Sequence, residues 1–183
     1  MAAGEAAAVA IEPATGDSAL ALRIEQRLRE RAAMADETTA LFYLARAYSP
    51  VWTEPARAEA LLAAVEALPG HGLDPADFAP LRLRAALPAE SDPDRAAERE
   101  LLLTDTLAAL LFQLRHGKVD PHALYREWNF TPPPNPYERA GELARVLQAP
   151  DLAAAVEAQA PDLALYRALR AELLAQQGRL AGG

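Results

Sequence analysis

Few side chains in this sequence have the types and spacing that chemistry needs. His116 and His122 lie close together and could be read as metal ligands. A metal site requires three or four converging donors and an outer shell that orients them. Gly117 breaks the helix between the two histidines, and no third ligand is evident. A cationic helix end accounts for His116, and a first-turn surface position accounts for His122. The serines Ser18, Ser49 and Ser91 sit at turns or caps without a readable His–Asp neighbourhood. The carboxylates are scattered, and nothing singles out a glycosidase pair. There is no cysteine, which excludes disulfides, thiolate metal sites and a cysteine nucleophile. The expectation is therefore no catalytic residue, no metal and no cofactor. Two weaker signals remain. Arg115, His116, Lys118 and Arg126 could form a small basic spot that docks an anion or an acidic surface, although ordinary capping explains half of it. Trp52 could be a ligand platform or, after a helix end, a core anchor.

The totals narrow the partners. A length of 183 residues suits one domain with a sizeable core. The hydrophobic fraction of 51% is inflated by alanine, and the Ala/Leu/Glu/Arg bias favours helix. The net charge is -8, and Lys118 is the one lysine among 18 basic residues. Such a chain repels a phosphate backbone, so nucleic acid is not an expected partner. No apolar run reaches the ~18 residues that cross a bilayer. The start MAAGEAAAVA has no basic region and is interrupted by Glu5, so it makes a poor signal peptide.

The element that positions everything else runs from Pro93 to His116. Leu103, Leu107, Leu110 and Leu114 share one helical stripe, with Leu101 and Phe112 nearly opposite. A helix apolar on two faces must be buried on two faces. Its first two turns, Pro93 to Glu100, are almost wholly charged or alanine and are expected to project into water. Ser91 with Asp94 resembles its capping box. Gly117 can take a positive φ at its exit, and Asp120-Pro121 starts the next helix.

Around it the pattern places residues 1–16 as a loose tail and a helix over about 18–33, capped by Asp17 or Ser18. Leu20, Ile24 and Leu28 form its inner face, and its arginines and glutamates are expected to be solvated. Asp36 caps a second helix to about Ala47, with Leu41, Leu44, Ala45 and Tyr48 inward, before Tyr48-Ser-Pro-Val-Trp52. Thr53 caps a third over about 54–68 with Ala58, Leu61, Leu62, Val65 and Leu68 inward. Pro69-Gly-His-Gly72 stops it, and Asp74-Pro75 restarts a short helix that buries Phe78 and Leu81, with Leu83 as a further candidate. Pro132 to Pro134 read as a polyproline spacer. Asn135, Pro136 and Glu138 open a helix with Ala140, Leu143, Val146 and Leu147 inward. Asp151 starts a short helix with Leu152, Ala155 and Val156. Pro161 or Asp162 starts the last, with Leu165, Tyr166, Leu169 and Leu173 in register and fraying from Gln176. The fold class is all-α: an orthogonal bundle of about seven to nine helices around the central one, a single domain over 17–177 with a frayed linker at 178–183.

Four segments, 42-FYLARAYSPVW-52, 72-GLDPADF-78, 103-LTDTLAALLFQLRHGKVDPHALYREW-128 and 161-PDLALYRALRAELL-174, resemble in order and spacing the scaffold domain of the large multi-domain L,D-transpeptidases of Gram-negative bacteria. The resemblance covers roughly Thr39 to the end. It implies periplasmic work in peptidoglycan cross-linking, by enzymes whose catalytic cysteine passes a stem peptide through a thioester. This chain has no such cysteine, so none of the family's catalytic residues carries over. What the resemblance implies is a scaffold role. Its partners would be catalytic and peptidoglycan-binding modules beyond this chain and peptidoglycan itself. The contact surface would lie near Tyr48, Trp52, Lys118 and Trp128. Two rival classes stand beside it: a free-standing helical interaction module, which would show an apolar groove lined by more than one helix, and a cysteine-free helical hydrolase, which would show a buried glutamate in a cleft.

Overall fold

The structure, a computed structural model, describes residues 18–31, 37–119 and 134–181. The expectations for the tail, Asp17, Asp36, Asp120-Pro121, His122, Arg126, Trp128 and Pro132 lie outside these residues.

Among the described residues the chain is an all-α bundle of α1 (Ser18–Arg31), α2 (Glu37–Ala45), α3 (Pro55–Glu66), α4 (Pro80–Ala85), α5 (Pro93–His116), α6 (Pro136–Gln148), α7 (Leu152–Glu157) and α8 (Ala164–Ala181). Two 3₁₀ turns, Leu68–His71 and Pro75–Phe78, join α3 to α4. Proline at the first helical position starts α3, α4, α5 and α6. Its fixed φ suits the helix, and its missing N–H would have been unpaired there in any case. Asn135 and Glu138 close the expected capping box on α6, and the Asp151 side chain accepts from the Ala154 N–H to cap α7. Two caps shift. Glu54 occupies the cap position of α3 without a side-chain bond, so Thr53 is not the cap. Asp92, rather than Ser91, accepts from the Arg95 N–H and starts α5, because Pro93 fixes the first helical residue one place later.

The central helix α5 is buried as its pattern requires. Leu101, Leu103, Leu107 and Leu110 have no exposed surface, and Phe112 is half-buried. Helices α1, α2, α3 and α6 all pack on it. Its charged N-terminal end is in water on one side only, with Pro93, Arg95 and Glu98 exposed. Ala97 and Glu100 are buried, and α1 lies along this end. Arg27 reaches Glu98 at 3.0 Å, Arg23 reaches Asp94 at 3.5 Å and Arg31 reaches Asp105 at 3.0 Å. Of the α1 charges expected to be solvated, Arg23 and Arg27 instead join Arg31 in a ladder onto α5, while Arg29 stays exposed and pairs with Glu25. Such half-exposed pairs orient more than they stabilise.

Helix α3 buries Ala58, Leu61, Leu62 and Val65 as read, and α6 buries Ala140, Leu143 and Val146. Three inner faces differ. In α2 the buried residues are Thr38, Thr39, Phe42 and Tyr43, while Leu44 is 59% exposed. The larger aromatic rings claim the core and turn the leucine side outward. Leu81 is 80% exposed, because α4 is a single short turn that can bury only Leu83. Leu165 and Leu169 of α8 are exposed, and α8 continues as helix past Gln176 to Ala181.

Candidate functional site

A heavily constrained part of the described chain is the segment from Arg46 to Trp52. Ala47 and Tyr48 both adopt positive φ, 51° and 61°. For residues with a Cβ this costs roughly 1–2 kcal/mol each, so the surroundings must hold it in place. The Tyr48 N–H donates to the Tyr43 carbonyl at 2.8 Å, closing the end of α2. The Arg46 Nε donates to the Ser49 carbonyl at 2.7 Å, with its guanidinium over the Phe42 ring at 5.3 Å. From the other side, Arg99 donates to the Trp52 carbonyl at 3.1 Å and to the Ala86 carbonyl at 2.7 Å.

Glu100 is the anchor of this segment. Its Oε1 accepts from the backbone N–H groups of Val51 and Trp52 and from the Tyr43 hydroxyl at 3.1 Å. The indole N–H of Trp52 donates to Thr104 Oγ1 at 2.9 Å. Thr104 Oγ1 lies 2.8 Å from the Tyr43 hydroxyl and donates to the Glu100 carbonyl at 2.9 Å. Burial pushes the Glu100 carboxyl above its ordinary range, against the lowering pull of the Val51 and Trp52 N–H groups. The Tyr43 hydroxyl is likewise raised, by burial first and then by Glu100.

This settles the place of Trp52. It is 2% exposed, its ring lies in the core and its one donor is used, so it is an anchor rather than a ligand platform. Tyr48 is half-buried beside it. Sequence reading passed over Glu100, whose type announces a surface residue. The available signal was its position on the face of α5 that continues into Thr104 and Leu107.

The basic spot is resolved into separate pairs. Arg115 contacts Glu142 of α6 at 2.6 Å, and Lys118 contacts Asp77 at 2.6 Å, which raises its ammonium pKa. His116 stacks against Phe112 with ring centroids 5.0 Å apart. Partial burial first, and then Arg115, lowers its imidazole pKa. Arg115 and Lys118 thus face different elements, each with its own carboxylate.

Beside the clamped segment an apolar groove of about 350 Å³ opens between α2 and α6. Leu41, Leu44 and Ala45 form one wall, and Tyr137, Gly141 and Ala144 form the other. Leu44 and Tyr137 are 59% and 73% exposed along it. A groove with small residues on one side and large apolar edges admits apolar side chains of another segment. Among the described residues no group of three or more His, Asp or Glu side chains could hold a metal ion, and no helix is long and apolar enough to cross a membrane.

Comparison with known families decides the class of this body. A family model described as "Scaffold domain" matches residues 37–173. The chain belongs to the Scaffold domain family. Both the clamped segment and the α2–α6 groove lie inside the matched part of this scaffold domain. No curated protein and no solved structure matches the chain.

Proposed function

We propose that this scaffold domain is the non-catalytic helical body of a periplasmic peptidoglycan L,D-transpeptidase, and that it positions catalytic and wall-binding modules for stem-peptide cross-linking. One observation carries the reading. The segments whose sequence resembles those enzymes' scaffold, 42–52 and 103–128, are tied to each other in space through Tyr43, Trp52 and Thr104. The residues behind the resemblance are therefore ones that tie α2 and the 46–52 segment to α5. With no cysteine in the chain, thioester chemistry must come from another module. The rigid 46–52 segment and the adjoining groove provide a fixed face for such a module, with Tyr48 at its edge. Lys118, with Arg126 and Trp128 from the segment that follows it, is the proposed contact for glycan.

The natural reading frame that contains this sequence tests the assignment. A cysteine-bearing catalytic domain in that frame is the expected result, and a frame without one overturns it. Pelleting the purified chain with sacculi tests the glycan contact separately; full recovery in the supernatant removes that part.

The groove also favours a second reading, a free-standing helical interaction module, because two helices line it. The hydrolase reading has no such support. Glu100 is buried with a raised pKa, but its oxygens face the Val51 and Trp52 backbone rather than a cleft.

A further inference from the structure

Helix α8 is seated by one stripe. Tyr166, Arg170, Leu173 and Gln177, spaced to share a helical face, are its half-buried residues. The Tyr166 hydroxyl lies 2.7 Å from His71 Nδ1, the same ring reaches Glu157 of α7 at 3.2 Å, and Arg170 pairs with Glu157. The Gln177 amide donates to the Pro69 carbonyl at 2.9 Å. An adjoining face of α8 is left as a ridge in solvent. Asp162 stands just before the helix, and Leu165, Leu169, Glu172 and Leu180 continue its stripe, all of them exposed. Two leucines are thus bracketed by two carboxylates. Asp162 pairs with Arg167 and Glu172 with Arg179, but both pairs lie in water, where such contacts are worth little.

The groove between α2 and α6 is complementary to this ridge. Its lining is apolar except for Arg46 and holds no acidic side chain. The Arg46 guanidinium donates to the Ser49 and Pro50 carbonyls and has no ion-pair partner among the described residues. Arg145 stands exposed one turn beyond Gly141 on the same side of α6, and it too has no such partner. Gly141 itself is informative. An added Cβ there would meet nothing within 4 Å, so internal packing does not call for glycine, and a glycine inside a helix weakens it. The missing side chain leaves room for another helix to come close.

We propose that this groove receives the α8 ridge of a second copy of the chain. Leu165 and Leu169 fill the trough beside Gly141, and the flanking carboxylates meet Arg46 and Arg145. The seated stripe of α8 stays on its own body, so each copy offers one ridge and one groove, and the contact is heterologous. One helix in one short groove is a small interface, so chains associate at high concentration and separate on dilution. The contact goes beyond the transpeptidase reading and does not depend on it; another module docked in the groove would displace the ridge.

Sedimentation equilibrium of the full chain from about 10 μM to about 1 mM tests the contact. The mean mass should rise above that of one chain, and should rise less at high salt, which screens the charge pairs. Leu165→Glu combined with Leu169→Glu breaks the ridge at exposed positions. Gly141→Gln plugs the groove where there is space for a side chain, and it favours the helix. Each variant alone should stay single at every concentration. Mixed, the two should form a pair and grow no further, because one intact groove meets one intact ridge. A mass that stays at one chain throughout overturns the proposal, as does a rise that salt leaves unchanged. So does either variant associating alone, which would place the contact on ridge against ridge or groove against groove, or a mixture that stays unpaired.

Discussion

Two polar clusters, one at Glu100 and one at His71, join segments far apart in the chain with similar kinds of bonds. Their surroundings make them different devices. The members of the Glu100 cluster, Tyr43, Trp52, Glu100 and Thr104, are all buried, so water cannot replace a lost partner. The His71 cluster lies at the rim of an apolar hollow under a helix whose Leu165, Leu169 and Leu180 face solvent. Breaking the first exposes orphaned backbone donors inside the core. Breaking the second frees an edge that water can solvate. Similar hydrogen bonds therefore carry different weight in the two places, and the apolar shell decides how much.

The largest effect expected from either region is at Glu100. Glu100→Ala leaves the Val51 and Trp52 N–H groups and the Tyr43 hydroxyl without their buried acceptor, and it releases the strained backbone at Ala47 and Tyr48. A loss of about 3–5 kcal/mol is expected by analogy with broken buried networks. Thermal unfolding would read it as a drop of roughly 10 °C in a chain of this length. Glu100→Gln keeps an acceptor and removes the buried charge, so it should cost less than the alanine variant. The two chains should also diverge with pH. Because the folded carboxyl is raised, protonated Glu100 favours the folded state, and that stability is lost as pH rises through the folded pKa. Relative to Glu100→Gln, the unsubstituted protein should therefore weaken from the ordinary carboxylate range upward. The opposite slope would mean that Glu100 is held ionised by its backbone donors.

A smaller break in the same clamp is Trp52→Phe. It keeps most of the ring in the core but removes the indole N–H from Thr104 and leaves a void. About 1–3 kcal/mol is expected from the lost bond and the cavity together. Chemical denaturation should show a lower midpoint with an unchanged slope. A neutral outcome would place the strength of the clamp in Glu100 alone.

The contrast also explains what the sequence could reveal. Residues acting through apolar periodicity were legible: Leu103, Leu107 and Leu110 on α5, the inner face of α3, and the Asn135–Glu138 box on α6. Their signals are local, repeating every turn or contained in four consecutive positions. Residues acting through tertiary pairing were not. Glu100 has a surface residue's type, and its partners lie about fifty positions earlier. The α2 stripe was misread because Leu41 and Leu44 obey helical spacing as well as Phe42 and Tyr43 do; only packing on α5 and α6 chooses between them. The charged first turns of α5 read as solvated because the acids at 94, 98 and 105 have meaning only against the arginines at 23, 27 and 31. His71 lay inside a helix-stop motif whose glycines already had a sufficient local explanation.

The mildest substitution tests the edge rather than the centre. Leu169 and Leu110 are both helical leucines, one 63% exposed on α8 and the other fully buried in α5. Leu110→Ala would open a cavity costing about 2–5 kcal/mol, whereas Leu169→Gln should stay within about 0.5 kcal/mol. A paired denaturation experiment should resolve a difference of this size. The informative failure is a destabilising Leu169→Gln. A solvent-facing leucine has no buried contacts to lose, so a cost there would mean that something covers the outer face of α8 in solution. Sedimentation of the same two chains would then identify the cover: a fall in mass on substitution points to a second copy, and an unchanged mass points to another part of the same chain.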